Sequence, residues 1–385
     1  MPSVGDLVDV AESLEKSRIV VLRDSCIAVR NRNTSCRKCV ETCPADAITI
    51  VSNRIELSAV RCVDCGLCTI VCPTEALRMT NPTEQELQNG LAKTASENGG
   101  RCVAACARMA AKRLVDPVRY VEVPCLGCVS ESAMLAQFAQ GADDVLLIDG
   151  NCSTCKYGFV DGSVSNVVLT ANVLLEAQGL QKRITRASAF PNDMLLGEDP
   201  DGVFGSTRRG FLGDTVKTAR EMATTAAETA LKKELGTAGS ENIGKRLHVS
   251  EDGTLPNVAL PRHENLLNSL FVLGERGEAE NAAQEAPGDP RDIRVDTHLF
   301  GVIEIDTAKC NACGMCAVFC PTSAIKRDPL RETPTSRLKL LEFSASDCVQ
   351  CGLCQDVCWK KCIDLSSEVS LGQLFDFEPK VFNLH

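Results

Sequence analysis

The sequence predicts an α+β multidomain protein. Two small cysteine-rich modules flank a small α/β domain with a parallel βαβ unit, and a helical and flexible connector leads to the second module. Of the 23 cysteines in 385 residues, sixteen fall into two blocks of eight near the two ends of the chain. Between the blocks, strand-like apolar runs alternate with a helical pattern, and a third stretch, 191–295, has no cysteine. These features divide the chain into regions 1–80, 81–190, 191–295 and 296–385.

The first module, 1–80, contains one complete and one incomplete cysteine motif. The complete motif has the spacing C-x2-C-x2-C-x3-C and consists of Cys62, Cys65, Cys68 and Cys72. The incomplete motif consists of Cys36, Cys39 and Cys43. Its first cysteine is missing at the usual place, and we interpret Cys26, which nine residues separate from Cys36, as the substitute. A β-type run, 47–51, follows and is typical of the small hairpins beside such motifs.

The last module, 296–385, repeats the complete spacing twice, through Cys310, Cys313, Cys316 and Cys320, then through Cys348, Cys351, Cys354 and Cys358. Three thiolates at such short intervals can hold one iron–sulfur cube, while the fourth reaches the neighbouring cube. Each module is therefore predicted to hold two [4Fe–4S] clusters with crossed ligands. The predicted sets are Cys310, Cys313, Cys316 and Cys358; Cys320, Cys348, Cys351 and Cys354; Cys43, Cys62, Cys65 and Cys68; and Cys26, Cys36, Cys39 and Cys72.

Disulfide bonds and zinc sites are the alternatives to iron–sulfur clusters for these cysteines. Disulfide scaffolds are short and secreted as a rule, whereas this chain is long and its first twenty residues lack an apolar signal segment. Zinc sites use two separated cysteine pairs rather than three cysteines within seven residues. A three-iron cluster without Cys26 stays open as an alternative. Cys362, four residues after Cys358, is interpreted as a buried spectator thiol or an alternative ligand.

The central region, 81–190, has the strand–helix–strand order of a parallel sheet. Arg119–Val123 and Asp144–Ile148 are predicted buried strands, Ser130–Ala139 is a predicted helix, and Val164–Gly179 adds another. The region contains six cysteines: Cys102, Cys106, Cys125, Cys128, Cys152 and Cys155. Because ligands collect at the carboxyl ends of the strands in open α/β sheets, the cysteines that follow the strands form a candidate site.

The connector, 191–295, is predicted to contain two helices and a linker. Helical spacing of apolar residues begins at Phe211, and a second helix is predicted from Pro261 to Gly274. The stretch after Gly274, up to Asp292, is rich in Gly, Glu, Ala and Pro and is predicted to be a flexible acidic linker. The twin-arginine pattern at Arg208 lies mid-chain, so we interpret it as a helix start.

Composition excludes several classes of function. The net charge of −10 disfavours nucleic acid as a partner, and no run approaches the roughly 18 apolar residues of a membrane span. No G-x-G-x-x-G follows a predicted strand, so a flavin or nucleotide is expected on a partner instead. The four histidines are scattered through polar sequence and are expected at the surface. No catalytic residue is predicted, and a reducing cytoplasm is the expected compartment.

The terminal modules resemble the bacterial-type ferredoxin with two [4Fe–4S] clusters. The centre resembles the delta (iron–sulfur) subunit of methyl-viologen-reducing hydrogenase, because it contains Val123-Pro-Cys-Leu-Gly, then Phe138-Ala-Gln-Gly-Ala-Asp-Asp-Val-Leu-Leu, then Cys155-Lys-Tyr. That resemblance implies a central [2Fe–2S] cluster, with a [4Fe–4S] cluster or a redox-active dithiol as alternatives. Its implied ligands are Cys102, Cys106, Cys125 and Cys155. Cys128 and Cys152 are additional and count as alternative ligands.

The resemblance implies an electron-transfer subunit without catalysis of its own. Such a subunit relays single electrons between a catalytic subunit (a hydrogenase, a formate dehydrogenase or another metal-dependent oxidoreductase) and a flavin-containing or ferredoxin-type acceptor. The alternative is an enzyme that reduces a disulfide or sulfur compound at the central cysteines. A third hypothesis is a structural scaffold or redox sensor whose clusters undergo no turnover.

Overall fold

Short elements in the N-terminal module leave the cysteines at helix ends and on loops. The computed structural model describes residues 17–196, 255–281, 293–327 and 340–384, so the predicted helix after Phe211 lies outside the described residues. The elements in order are β1 Ile19–Val21, α1 Ile27–Arg30, α2 Lys38–Thr42, β2 Ile48–Val51, β3 Arg54–Leu57, α3 Leu67–Val71 and β4 Leu77–Met79. β1 pairs antiparallel with β4. The predicted hairpin is confirmed as β2 and β3, joined through Ser52 and Asn53 with φ of 49° and 61°.

The central domain is built on a parallel sheet, as predicted. Its elements are α4 Glu84–Glu97, β5 Arg101–Cys106, α5 Ala107–Ala110, β6 Val121–Val123, α6 Glu131–Ala139, β7 Asp144–Ile148, α7 Val160–Ala177 and β8 Arg183–Ala187. The strand order is β6-β5-β7-β8, and all three pairings are parallel. α6 begins as the sequence indicates, with Ser130 as its cap accepting the Ala133 N–H. α7 begins at Val160, four residues before the predicted start at Val164.

Two strands of this sheet were not expected. β5 is an inner strand of the sheet, yet its residues are Arg-Cys-Val-Ala-Ala-Cys, which have little β propensity. Its residues are fully buried from Cys102 to Ala105. Pairing on both edges and burial on both faces therefore stabilise β5 more than local propensity does. β8 alternates buried and exposed residues at the far edge.

The helix that starts at Pro261 does not end at Gly274. It is α8, Pro261–Asn281, so the prediction of a linker directly after Gly274 is wrong. The glycines here serve close packing instead. A β-carbon at Gly274 would lie 3.0 Å from Gln178 Oε1, and one at Gly277 would overlap the Gln178 carbonyl oxygen. The Gln178 amide in turn donates to the Leu270 carbonyl at 3.2 Å, which fixes α8 against the end of α7.

The described part of the C-terminal module consists of paired strands and three short helices. Its elements are β9 Arg294–Asp296, β10 Val302–Ile305, α9 Met315–Phe319, β11 Ile325–Arg327, β12 Leu340–Phe343, α10 Leu353–Val357, β13 Ile363–Ser366, β14 Glu368–Ser370, α11 Leu371–Phe375 and β15 Lys380–Asn383. β10 pairs with β13, β9 with β14, and β12 lies between β11 and β15, all antiparallel.

One hydrophobic core includes residues from every module. It contains Leu67 of α3, Met134 of α6, Leu270 of α8 and Phe300 of the C-terminal module, each at most 2% exposed. Burial of apolar side chains across module borders therefore holds the described parts of the modules together. The domain boundaries proposed from the sequence stay predictions.

Candidate iron–sulfur centres

Two groups of four cysteines form in the N-terminal module. The Cys39 site consists of Cys26, Cys36, Cys39 and Cys72. The Cys68 site consists of Cys43, Cys62, Cys65 and Cys68. α2 and α3 pack against each other, and Cys43 and Cys72 follow directly at the ends of these helices. Each remote thiol therefore joins the other motif's group, which is the crossed arrangement that the sequence predicts.

The thiols within each N-terminal site lie close enough to affect one another. Burial, together with the charges of Cys72, Cys26 and Cys36, raises the pKa of Cys39 to about 12. Burial also raises the pKa of Cys68, with added contributions from Cys65, Cys62, Cys39 and Cys43. Because the interaction between two charges weakens with distance, these effects indicate that the thiols are close neighbours. Since Cys39 acts on Cys68, the two sites are also adjacent to each other.

Cys26 lies in the Cys39 site despite the long spacing to Cys36. The intervening residues begin with the single helical turn α1 and then loop back, so the thiol returns to the group. Cys26 is 7% exposed. Burial raises its pKa, and hydrogen bonds from the backbone N–H groups of Ala28 and Val29 lower it. The geometry thus supplies the Cys39 site with four thiols.

The C-terminal module holds two further groups. The Cys316 site consists of Cys310, Cys313, Cys316 and Cys358. The Cys354 site consists of Cys320, Cys348, Cys351 and Cys354. Burial raises the pKa of Cys316 to about 12, and the charges of its three partners contribute to the rise. Burial raises the pKa of Cys354 too, and Cys316 is among the neighbours that add to this effect, so these two sites are also adjacent.

Cys362 lies at the Cys316 site as a fifth thiol. Its Sγ is 3.5 Å from Cys358 Sγ. Burial raises the pKa of Cys362 to about 12, and hydrogen bonding to Cys358 raises it as well. The position of Cys362 therefore keeps open both interpretations made from the sequence, spectator and alternative ligand.

The chemistry of these sites fits an iron–sulfur cube. Buried thiols whose pKa values are raised, such as those of Cys39 and Cys68, would stay protonated in an apolar pocket, whereas a bound metal ion deprotonates its thiol ligands. Backbone N–H groups already point at the sulfurs. Ala47 donates to Cys43 Sγ at 3.3 Å, and Ala76 donates to Cys72 Sγ at 3.2 Å. Such donors stabilise anionic sulfur and tune the potential of a cluster.

In the central domain, four cysteines gather at the carboxyl edge of the parallel sheet. The central site consists of Cys106, Cys125, Cys152 and Cys155. Cys106 ends β5, Cys125 follows β6, and the other two follow β7. Burial raises the pKa of Cys125 to about 11, with further contributions from Cys65, Cys106 and Cys155. The location is the one expected for a ligand site in an open α/β sheet.

Of the two remaining central cysteines, Cys102 lies apart from this group and Cys128 lies beside Cys125. Cys102 is inside β5, four residues from Cys106, which along a strand is about 13 Å. It is fully buried, and its Sγ lies 3.8 Å from Gln137 Oε1. Cys128 donates to the Cys125 carbonyl oxygen at 3.1 Å. The structure therefore does not bring Cys102 to the central site, and it brings Cys152 there instead.

A partly buried arginine that sequence reasoning missed lies beside the central site. Arg186 of β8 contacts Asp149 Oδ2 at 2.7 Å, Asp161 Oδ1 at 2.5 Å and Cys152 Sγ at 3.7 Å. Burial and the charge of Asp149 raise the pKa of Cys152, which Arg186 partly opposes, to about 11. Arg186 therefore places a positive charge beside a candidate ligand. No sequence pattern indicates it, because β8 joins the site only through sheet pairing.

The comparisons with known families agree with this layout. Residues 34–77 and 309–362 each match the 4Fe-4S dicluster domain. Residues 96–194 match methyl-viologen-reducing hydrogenase, delta subunit. The chain therefore carries two 4Fe–4S dicluster domains that flank a hydrogenase-delta-subunit domain. Both resemblances predicted from the sequence are confirmed, and iron–sulfur electron-transfer domains stand at both ends.

Curated relatives match short parts of the chain. A ferredoxin of Streptomyces griseus is 33% identical over 66 residues, which is 17% of this chain and 58% of the relative. NADH-quinone oxidoreductase subunit I 2 of Geobacter metallireducens is 38% identical over 64 residues, 14% of this chain and 47% of the relative. Ferredoxin-type protein NapH of Haemophilus influenzae is 38% identical over 69 residues, 18% of this chain and 23% of the relative. The chain thus spans well under two thirds of these relatives, and no solved structure gives a significant match.

The structure also bears on the expectations for the histidines and for membrane-spanning segments. His263 is partly buried rather than at the surface, and its Nε2 lies 2.7 Å from the Ser346 carbonyl oxygen, because α8 packs on the C-terminal module. Within the described ranges, every helix is too short or too polar to cross a bilayer.

Proposed function

We propose that this chain is an electron-relay subunit with four [4Fe–4S] clusters and one central cluster. The four terminal sites are those named for Cys68, Cys39, Cys354 and Cys316, each with its four thiolates as ligands. The observation that carries the proposal is the crossed grouping, since each site takes three thiols from one motif and a fourth from the other. A zinc pair or a disulfide framework has no need of that exchange.

For the central cluster, we propose the ligands Cys106, Cys125, Cys152 and Cys155. This set replaces Cys102 with Cys152, because Cys102 lies inside β5 and away from the other thiols. The likeness to the hydrogenase delta subunit favours a [2Fe–2S] cluster here. Arg186 would offset part of the negative charge that four thiolates and inorganic sulfide bring to the sheet edge.

The chemistry of such clusters is the gain and loss of one electron without bond formation. What the protein contributes is position, burial and hydrogen bonds to sulfur. We propose that the partners are a catalytic subunit and a flavin-containing or ferredoxin-type acceptor within an oxidoreductase complex. The similarity to a subunit of NADH-quinone oxidoreductase supports a subunit role. The net charge of −10 favours basic docking surfaces on those partners.

Counting iron and paramagnetic clusters tests this proposal. Protein purified without oxygen should contain about 18 iron atoms, or about 20 if the central cluster is a cube. Stepwise reduction followed by electron paramagnetic resonance (EPR) should resolve five clusters and separate [2Fe–2S] from [4Fe–4S]. Bound zinc, or protein without visible absorbance, would contradict the proposal. Reduction of a disulfide by the isolated protein, with a reduced dye as donor, would favour the enzyme alternative.

A further inference from the structure

The two ferredoxin-type modules contact each other directly, although the central domain separates them in the sequence. We infer that the five sites form one unbranched row in the order central, Cys68, Cys39, Cys354, Cys316, and that electrons cross between the modules at Cys36 and Cys351. This inference rests on the proposed function. It adds the route, which the chain order does not predict, because the sequence places the central domain between the modules.

The first step of the row joins the central site to the Cys68 site. The loop at Gly127 packs directly on the loop at Gly66, so that a β-carbon at Gly127 would lie 2.8 Å from the Cys65 carbonyl oxygen. A β-carbon at Gly66 would overlap the β-carbon of Cys128. Two glycines therefore let the backbones approach until Cys65 and Cys125 are near neighbours.

The contact between the two modules near Cys36 and Cys351 has an apolar part and a polar part. Cys36 and Cys351 pack against one small core formed by Ile27, Leu353 and Val357, which are at most 9% exposed. Ile27 belongs to the N-terminal module, and the other two belong to α10 of the C-terminal module. One cysteine from each facing site therefore lines the same apolar patch, which excludes water from between them.

Hydrogen bonds fix the two modules on each side of this patch. Asp356 accepts from Thr34 Oγ1 at 3.1 Å and from the Ser35 N–H at 2.7 Å. On the other side, the Arg30 guanidinium donates to the Phe319 carbonyl at 3.0 Å and to the Cys320 carbonyl at 3.3 Å. Arg30 therefore reaches the backbone of a cysteine that belongs to the Cys354 site.

The remaining steps lie within the modules. α2 packs on α3, and α9 packs on α10, so each module brings its two sites together. Along the row, one electron leaves a reduced cluster and enters its oxidised neighbour, and no bond or proton changes place. The ends are the central site and the Cys316 site. The latter includes Cys313, which is the exposed one of the 23 cysteines.

Spin coupling between reduced clusters tests the order in the full-length protein. The double variant Cys36→Ala, Cys39→Ala removes the cluster of the Cys39 site, and the iron content should fall by about four atoms. In fully reduced protein, loss of this cluster should remove the magnetic splitting from the EPR signals of two neighbouring clusters. These are the cluster of the Cys68 site in the N-terminal module and the cluster of the Cys354 site in the C-terminal module. The matched control Cys313→Ala, Cys316→Ala removes an end cluster and should simplify one signal only.

The outcomes separate the route from the proposed function. Fewer than five clusters in unmodified protein would contradict the proposed function itself. Five clusters, with coupling lost only inside the N-terminal module in the first variant, would overturn the direct crossing. If that variant does not fold, Cys348→Ala with Cys351→Ala tests the same crossing from the other side. It should simplify the signals of the Cys39 and Cys316 sites, and simplification of the Cys316 signal alone would refute the route.

Discussion

Arg30 offers a direct test of the contact between the modules. Its side chain is 4% exposed and donates three hydrogen bonds to carbonyl groups, at 2.8 Å to Pro256, 3.0 Å to Phe319 and 3.3 Å to Cys320. Arg30→Met keeps much of the side-chain volume but leaves these three acceptors without the donor. Each unsatisfied buried carbonyl costs about 1–3 kcal/mol. Removal of a desolvated charge recovers part of that cost, so we expect a net destabilisation of about 3 kcal/mol.

The assay is the rate of cluster loss in guanidinium chloride without oxygen, followed by absorbance near 400 nm. Cluster release makes unfolding irreversible, so a rate is the proper measure. If the Arg30 contacts break before the transition state, about 3 kcal/mol corresponds to roughly 100-fold faster loss. Arg37→Met is the matched control, because Arg37 is exposed and donates only to the Ile50 carbonyl at 2.9 Å. Equal rates for the two variants would refute the reasoning.

Four further predictions follow from the sites. Cys152→Ser should change the central EPR signal and Cys102→Ser should leave it intact; the reverse result would restore the ligand set implied by the family resemblance. Gly66→Ala should destabilise the protein by about 2 kcal/mol or more, since φ is +79° and the β-carbon would overlap a neighbouring residue; a thermal shift no larger than that of Gly99→Ala, an open left-handed position, would contradict this. Arg186→Gln should lower the central potential by about 60 mV, equivalent to about 1.4 kcal/mol of lost charge stabilisation; an unchanged titration would exclude that role. Burial raises the pKa of Glu131 to about 7, so the folded state holds this proton more tightly than the unfolded state, and stability should fall as pH rises from about 4.5 to 7. Glu131→Gln should flatten that dependence in melting curves, and a parallel pH profile would disprove the assignment.

Local spacing is what the sequence could predict. Three cysteines within seven residues can face one centre whatever surrounds them, because they lie on one short loop. The same argument gave the hairpin β2–β3 and the helices α6 and α7, whose signals lie within single segments. The extent of α8 could not be predicted, because Gly274 and Gly277 are explained by the contact with Gln178, which lies far away in sequence.

By itself, the amino-acid sequence determined the iron–sulfur character of the terminal modules, since the cysteines of each terminal site come from motifs of short, regular spacing. Only the tertiary structure decided which central thiols meet. It places Cys152 near Cys125 and leaves Cys102 inside β5, because sheet register separates residues along one strand and gathers the ends of neighbouring strands. The meeting of Cys36 with Cys351 was likewise decided there. Contacts across more than 300 residues depend on complementary packing and hydrogen bonds, and no periodicity in the chain encodes them.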